Sequence, residues 1–300
     1  MLWGIDLGGT KIEGVILESS TNLQPIARMR VPTESDQGYD HIIGQIKKLV
    51  DMLSAETGLT CTSLGLGHPG ALDPSTGLMK NANTTALNGR PFDKDLSAAL
   101  GGIELKLSND ANCFAVAEAL MGAAKDAVPN AEVVFGIIMG TGVGGGIVVR
   151  GKVINGRHGI GGEWGHNPLE PEDGEMCYCG KRGCVETVFS GPFLERHYQK
   201  ISGEKLPLKD IVARDIAGTD PHAAATMTRM VQMFGKAVGA VINMIDPDVI
   251  VIGGGVGNID ILYTRGVEEA KKHVFNPRLD TLFLKPKLGD SAGVFGAALL

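Results

Sequence analysis

The sequence predicts an α/β protein of two domains. Strand-like apolar runs alternate with segments of helical periodicity, and the design of strand, glycine-threonine turn and strand occurs twice, near the N-terminus and at mid-chain. A chain of 300 residues can form one large domain or two medium ones, each with its own core. The repeated design favours two domains related by duplication.

The first hairpin is predicted over residues 2–19, LWGIDLGGTKIEGVILES. Its glycine-threonine turn offers backbone N–H groups and a hydroxyl, which suit a phosphate. An ordinary glycine hairpin explains the same turn, and the Walker pattern is absent. The turn alone therefore leaves phosphate binding and a purely structural role equally open.

Two segments between the hairpins carry polar candidates. Apolar residues at helical spacing over 38–58 predict a helix that ends at Gly58. Residues 81–100 predict a polar loop and then a helix, and Asn88 in that loop could bind a polyol or serve the turn itself. Residues 103–120 predict a strand, then Asn109 and Asp110, then an alanine-rich helix. Asp110 could cap this helix or act as a general base, with Asn109 orienting a hydroxyl.

The second hairpin is predicted over residues 133–150, VVFGIIMGTGVGGGIVVR. Both glycine loops join two strands rather than a strand and a helix, which argues against a Rossmann fold. Two such hairpins suggest a duplicated domain that closes on a nucleotide. Residues 187–245 are mostly helical, and a third glycine loop at 253–255 follows a buried strand, where it suits contact with adenine or ribose. The chain ends in a short helix.

Residues 162–186 suit a structural zinc site. They contain three of the chain's five cysteines and one histidine, namely His166, Cys177, Cys179 and Cys184. Cys₃His ligation is common for structural zinc, and C-x-C-x₄-C is hard to obtain from unrelated thiols. The alternatives are unconnected thiols or a disulfide, and the sequence lacks the secretory context that favours a disulfide. Because Glu163 and Glu186 flank the ligands, the metal would hold two carboxylates in place.

Composition excludes several classes of protein. The net charge of −6 argues against a broad nucleic-acid footprint. No apolar run is long enough to span a bilayer, and the N-terminal residues lack the pattern of a signal peptide. A cytoplasmic protein is therefore expected.

The motifs IDLGGTK, SNDANC, GTGVGGG, GEWGH, CYCGKRGCVE and VIGGG, in this order, resemble the ROK family of sugar kinases, within the actin-like ATPase superfamily. The resemblance runs nearly end to end, and the combination is specific although each motif alone is not. It implies a two-domain actin-like ATPase (ribonuclease H-like) fold, with ATP and sugar in a cleft between the domains. The domains would be residues 1–117, joined by a returning C-terminal helix at 290–300, and residues 118–289.

The resemblance also implies roles for individual residues. The hexose would contact Asn88, Asn109, Asp110, Glu163, His166 and Glu186. ATP, with Mg²⁺ bridging its phosphates, would contact Gly8, Gly9, Thr10, Lys11, Gly140, Thr141, Gly142, Gly144, Gly254 and Gly255. Structural Zn²⁺ would be held by His166, Cys177, Cys179 and Cys184, so that His166 serves both metal and sugar. The protein would be a homodimer.

The expected reaction is phosphorylation of the 6-hydroxyl of a hexose. Because phosphoryl transfer depends on positioning and charge neutralisation, Asp110 is expected to accept the hydroxyl proton. Within the family, NANTTALNGRPFDKDL and GEWGHNPL look most like the fructokinase branch, which also phosphorylates mannose. N-acetylglucosamine kinase, glucokinase and mannokinase are the alternatives. A sugar-responsive ROK repressor is a further alternative, disfavoured because no helix-turn-helix module precedes the first strand.

Overall fold

The computed structural model describes residues 1–22 and 24–300. The strands are β1 Leu2–Leu7, β2 Lys11–Leu17, β3 Pro25–Pro32, β4 Ser63–His68, β5 Ala71–Leu72, β6 Met79–Lys80, β7 Glu104–Asn109, β8 Val133–Met139, β9 Val143–Val149, β10 Lys152–Val153, β11 Val249–Gly253 and β12 Leu282–Leu284. The α-helices are α1 Tyr39–Thr57, α2 Phe92–Ala99, α3 Asp110–Leu120, α4 Ala123–Ala127, α5 Glu186–Phe189, α6 Gly191–Ser202, α7 Leu208–Ala217, α8 Pro221–Ile245, α9 Gly254–Gly257, α10 Arg265–Lys271 and α11 Ala292–Ala298.

The chain divides into two compact units. Unit 1 comprises Met1–Asn130, Gly146–Gly162 and Lys287–Leu300, and unit 2 comprises Ala131–Gly145 and Glu163–Pro286. This division differs from the boundary expected at 117/118. Helix α3 packs along its length against α11 and also contacts β10, so the whole helix belongs to unit 1 together with those segments.

Unit 1 is built on a mixed sheet with the strand order β3-β2-β1-β4-β7. The β1–β2 and β2–β3 pairs are antiparallel, and the β1–β4 and β4–β7 pairs are parallel. Helix α1 covers one face of the sheet and buries Ile42, Ile46 and Leu49, which recur at helical spacing. It ends where Gly58 adopts the left-handed conformation at φ 68°. The predicted first hairpin and the helix over 38–58 are therefore confirmed.

Helix α11 packs on β1 and β4 with almost no space between the backbones. A Cβ atom placed on Gly65 would lie 1.7 Å from the carbonyl oxygen of Ala297. Only glycine permits this approach. The close packing holds the C-terminal helix against the middle of the unit 1 sheet.

The second sheet has the order β10-β9-β8-β11-β12, with β11 parallel to both β8 and β12. Strand β9 starts in unit 2 and, from Gly146, belongs to unit 1, where it pairs antiparallel with β10. The long helix α8 begins at Pro221, with the Asp220 carboxylate accepting hydrogen bonds from two N–H groups of its first turn. Its buried stripe includes Met227, Met230 and Phe234.

The two sheets share one strand order, in which the third, second, first, fourth and fifth strands lie side by side. This repetition confirms the predicted α/β class and the interpretation of the two hairpins as a duplicated design. In the part of the chain that the structure describes, no helix combines the length and the apolar character that crossing a membrane requires.

Candidate functional site

Asp110 and Asn109 lie where β7 meets α3. Asn109 is the capping residue, because its side chain accepts a hydrogen bond of 2.9 Å from Asn112 N. Asp110 is the first helical residue, and one of its carboxylate oxygens accepts from Ala111 N at 2.8 Å. The Asp110 side chain is solvent-accessible, yet the protein around it raises its pKa above the ordinary value, against a lowering by the Ala111 hydrogen bond. The cap role that the sequence allowed for Asp110 therefore falls on Asn109.

Asp6 is a second carboxylate in this part of unit 1, and the sequence analysis did not single it out. It ends up among small residues of other elements, since a Cβ atom on Gly293 would lie 2.7 Å from Asp6 Oδ2 and one on Gly67 would lie 3.4 Å from Oδ1. Burial, and next the negative charge of Asp110, raise the pKa of Asp6 to about 6. The signal in the sequence is an acidic residue inside an otherwise apolar strand.

The turn of the first hairpin is held by its neighbours in unit 1. Thr33 Oγ1 donates to the Gly8 carbonyl at 2.6 Å, and Gly8 N donates to Lys11 O at 3.0 Å. Gly9 and Thr10 are exposed. The turn is therefore fixed in shape while its tip faces solvent.

The predicted contact residue Asn88 serves its own loop. Its amide nitrogen donates to Ala82 O and its amide oxygen accepts from Ala82 N, each at 2.9 Å. An asparagine amide can form about four hydrogen bonds, so this pairing uses half of its capacity. The structure thus gives Asn88 the turn role that the sequence left open, and its contact with sugar stays a prediction.

The second hairpin turns through the short loop 140–142, and two other segments of unit 2 approach that loop. Val143 N donates to Glu186 Oε2 at 3.0 Å, and a Cβ atom on Gly142 would lie 2.9 Å from the same oxygen. Gly191 N donates to Gly140 O at 2.8 Å. The third glycine loop lies against the end of β8, because a Cβ atom on Gly254 would come within 2.3 Å of Met139 O.

The GEWGH segment is fastened to β9 by its middle residues. Trp164 is buried, stacks on Phe189 and donates from Nε1 to Gly144 O at 3.0 Å. A Cβ atom on Gly165 would lie only 2.1 Å from Val143 O, so this position requires glycine. This anchoring of Trp164 and Gly165 fixes the residues on either side of them, Glu163 and His166. Glu163 Oε2 and His166 Nε2 are 4.0 Å apart.

The four predicted metal ligands come together in unit 2. The ligand atoms of His166, Cys177, Cys179 and Cys184 all lie within 4.8 Å of one another. The turn between the first two cysteines is closed by Cys177 N donating to Lys181 O at 2.8 Å. His166 Nδ1 is 3.6 Å from Cys177 Sγ, and Cys179 Sγ is 3.6 Å from Cys184 Sγ.

These distances match tetrahedral zinc. With Zn–S bonds of about 2.3 Å and Zn–N bonds of about 2.05 Å, two sulfur ligands lie about 3.8 Å apart and a sulfur and a nitrogen about 3.6 Å apart. All five cysteines are free of disulfides. Burial raises the pKa of Cys184 to about 12, and a metal cation beside this thiol would favour its ionised form. The cluster is therefore compatible with a Cys₃His zinc site, as the sequence predicted.

Glu186 joins this cluster to the glycine hairpin. It is buried at the start of α5, with Oε2 on Val143 N and Oε1 3.9 Å from Cys177 Sγ. The structure thus places Glu186 beside the metal ligands and beside the second hairpin. Sequence spacing predicted that Glu186 lies near the metal ligands, but it did not predict the contact with the hairpin.

Tyr178 is another residue that the sequence analysis passed over. Its hydroxyl lies 3.0 Å from His166 Nε2, and the two rings meet edge to face with centroids 5.2 Å apart. The ring is largely exposed, but its hydroxyl end lies against protein. This desolvation, and next the Glu186 and Glu163 carboxylates, raise the pKa of Tyr178 to about 12. A tyrosine between two predicted metal ligands was the available signal.

Comparisons with known proteins cover the whole chain. The model of the ROK family matches residues 2–300. The N-acetyl-D-glucosamine kinase of Mannheimia succiniciproducens is 36% identical over 312 residues, covering 100% of this chain and 99% of its own. That of Vibrio cholerae is 37% identical over 311 residues, with 100% and 99% covered.

Two solved structures are also similar. The ROK hexokinase from Thermus thermophilus superposes with a TM-score of 0.87 at 30% identity, covering 99% of this chain and 96% of that one. A ROK family glucokinase from Streptomyces griseus, solved in complex with glucose and AMPPNP, gives a TM-score of 0.75 at 26% identity, with 99% and 97% covered.

Proposed function

The chain belongs to the ROK family and is a sugar kinase with the actin-like ATPase fold, and we propose that it transfers the γ-phosphate of ATP to the 6-hydroxyl of N-acetyl-D-glucosamine. The sequence analysis favoured fructose and held N-acetylglucosamine as an alternative. The full-length relatives of 36% and 37% identity are both N-acetyl-D-glucosamine kinases, which supports the alternative over fructose.

ATP binding is supported by glycines that the fold itself does not require. Methyl groups added at Gly9, Gly140 and Gly255 would meet nothing closer than 4.0 Å, and none of the three has a positive φ. Each lies in a different one of the three predicted nucleotide loops. A glycine needed neither for backbone conformation nor for packing is explained when a ligand approaches the backbone closely. This observation carries the nucleotide part of the proposal.

Mg²⁺ fits the carboxylates of unit 1. This ion is usually bound through substrate phosphates and one or two protein carboxylates. Burial, and next the negative charge of Asp110, raise the pKa of Asp6, and a cation beside Asp6 would offset both. Bound Mg²⁺ would neutralise phosphate charge, and Asp6 is the side chain proposed to hold it near the turn of the first hairpin.

We retain Asp110 as the general base for the sugar hydroxyl. Its raised pKa moves its basicity towards neutral pH, which suits proton transfer. Glu163, His166 and Glu186 are proposed to bind ring hydroxyls, with Asn109 and its amide assisting. His166 can serve both metal and sugar because Nδ1 faces the thiols, while the N–H of Nε2 points away from them and can be shared between the Tyr178 hydroxyl and a sugar oxygen. Zinc would not take part in the chemistry, since Cys₃His leaves it no open position.

Glucose is the second candidate substrate. The Thermus hexokinase can be superposed on this chain over most of the length of both, and the Streptomyces glucokinase was solved with glucose bound. The decisive experiment is a panel of N-acetylglucosamine, glucose, mannose and fructose, with ADP release coupled to a spectroscopic signal. The highest kcat/KM is expected for N-acetylglucosamine. A preference of more than about tenfold for another hexose would refute the assignment of the sugar, and turnover of none would refute the proposal of a hexose kinase. The homodimer stays a prediction, which light scattering of the purified protein checks.

A further inference from the structure

We infer that Tyr178 is a sugar-binding residue, which donates its phenolic proton to an oxygen of the hexose while its ring covers His166. The inference rests on the proposed function and extends the set of residues proposed to bind sugar. It starts from the two ring nitrogens of His166. Nδ1 lies 3.6 Å from Cys177 Sγ and so belongs to the metal cluster.

The other ring nitrogen determines the direction of the hydrogen bonds. When Nδ1 ligates a metal, the neutral imidazole carries its proton on Nε2. Nε2 is 3.0 Å from the Tyr178 hydroxyl, so the imidazole N–H donates to the phenolic oxygen. A hydroxyl that accepts one hydrogen bond still has its own proton to donate.

The surroundings of the hydroxyl favour an acceptor on the substrate. Glu163 Oε2 is 4.0 Å from the same His166 nitrogen that meets the Tyr178 hydroxyl, and Glu186 Oε1 is 3.9 Å from Sγ of the adjacent Cys177. The hydroxyl therefore lies among the groups proposed to bind the sugar ring. The side chain is 75% exposed, so a ligand can reach it from solvent.

The chemistry defines what Tyr178 would recognise. A phenol bound to a histidine N–H is polarised towards donation, and it pairs best with a hydroxyl or amide carbonyl oxygen. Hexoses offer ring hydroxyls, and a 2-acetamido sugar adds a carbonyl. Tyr178 would thus add a donor to a set of residues dominated by acceptors.

The test combines a variant with altered sugars in calorimetric titrations, so that binding is measured without turnover. Tyr178→Phe removes only the hydroxyl, and Tyr39→Phe is the matched control because Tyr39 bonds Asp95 in a different part of the chain. We expect Tyr178→Phe to weaken binding of N-acetylglucosamine about three- to tenfold, the size of one neutral hydrogen bond. The zinc content and the ATP affinity of Tyr178→Phe should match those of the wild type. The sugar affinity of the control, Tyr39→Phe, should also match that of the wild type.

The sugar series is N-acetylglucosamine, glucose and its 1-, 2-, 3- and 4-deoxy derivatives. The sugar that lacks the accepting oxygen should bind to the wild type and to Tyr178→Phe with equal affinity. Removing the oxygen from the sugar and removing the hydroxyl from Tyr178 abolish the same hydrogen bond. Suppose that the wild type binds sugars and that Tyr178→Phe binds every one of them with the same affinity as the wild type, or with an affinity lowered by one common factor. The proposed role of Tyr178 would then be refuted, while the kinase proposal stands. A wild-type protein that binds none of these sugars overturns both.

Discussion

Replacing Asp6 by asparagine should make the protein more stable at neutral pH and less active. The carboxyl is half-buried, and burial together with Asp110 raises its pKa from 3.8 to about 6. A group whose pKa is raised on folding is protonated more readily in the folded state. Its ionisation therefore destabilises the folded state as pH rises from about 4 to about 6.

The size of this effect follows from the shift. About two pKa units correspond to about 3 kcal/mol when the carboxyl is ionised in both states. Well below pH 3.8 the carboxyl is protonated in both states and the contribution vanishes. Asparagine has nearly the same shape and no charge, so it should fit beside Gly67 and Gly293. The gain in the free energy of unfolding from Asp6→Asn should therefore grow from about 0.5 kcal/mol at pH 4 to about 2–3 kcal/mol at pH 8.

The assay is urea unfolding of both proteins at several pH values, followed by circular dichroism and tryptophan fluorescence. Asp51→Asn, an exposed residue on α1, is the control, because its pair with Lys47 is also exposed and should contribute little to stability. Activity of Asp6→Asn should fall and should require more Mg²⁺, because the carboxylate proposed to hold the ion is lost. A stability difference that does not change between pH 4 and pH 8, or a variant less stable at pH 8, would refute the reasoning about Asp6.

Three further predictions concern the proposed catalytic parts. Asp110→Asn should lower kcat by about 10²–10⁴ while sugar affinity stays within several-fold, as calorimetry and steady-state kinetics would show, and near-normal turnover would exclude it as the base. Gly140→Ala should weaken ATP binding although the added methyl meets no protein atom. Gly44→Ala adds an equally unobstructed methyl on α1 and should leave ATP affinity unchanged. Equal ATP affinities of the two variants would remove the second hairpin from the nucleotide site. Cys179→Ser should lose the approximately one zinc per chain expected for a Cys₃His site, and its KM for sugar should rise sharply. A zinc-free variant with normal sugar kinetics would show that the metal does not organise residues 162–186.

Much of the fold could be predicted from local pattern. The helix over 38–58 has strong periodicity and ends at Gly58, and the first hairpin has alternating apolar residues on either side of the turn at Gly8 and Gly9. The metal ligands were predictable for a similar reason, since three of the four lie within eight residues and the chemistry of thiols restricts their use. The domain boundary was not predictable. It depends on the packing of α3 against α11, which are distant in sequence.

The missed residues share a physical reason. Burial by neighbours that include β4 and α11, and next the charge of Asp110, raise the pKa of Asp6, and none of these contacts has a sequence signature. Tyr178 matters because its hydroxyl reaches His166, twelve residues earlier. Sequence patterns report which groups are present, whereas the electrostatic environment of a group depends on long-range packing.

The position of Glu186 changes what the sequence alone led us to expect of the metal. From sequence, the metal is expected to hold in place Glu163 and Glu186, two carboxylates expected to contact the sugar. In the structure, the Glu186 carboxylate faces Cys177 through one oxygen and holds Val143 N of the nucleotide hairpin through the other. A cluster that loses its metal would release Cys177, and the carboxylate would then be free to move from the hairpin. A methyl at Gly142 would displace the same carboxylate from the other side. We therefore expect Cys179→Ser and Gly142→Ala to weaken sugar and ATP binding together, and Gly140→Ala to weaken ATP alone.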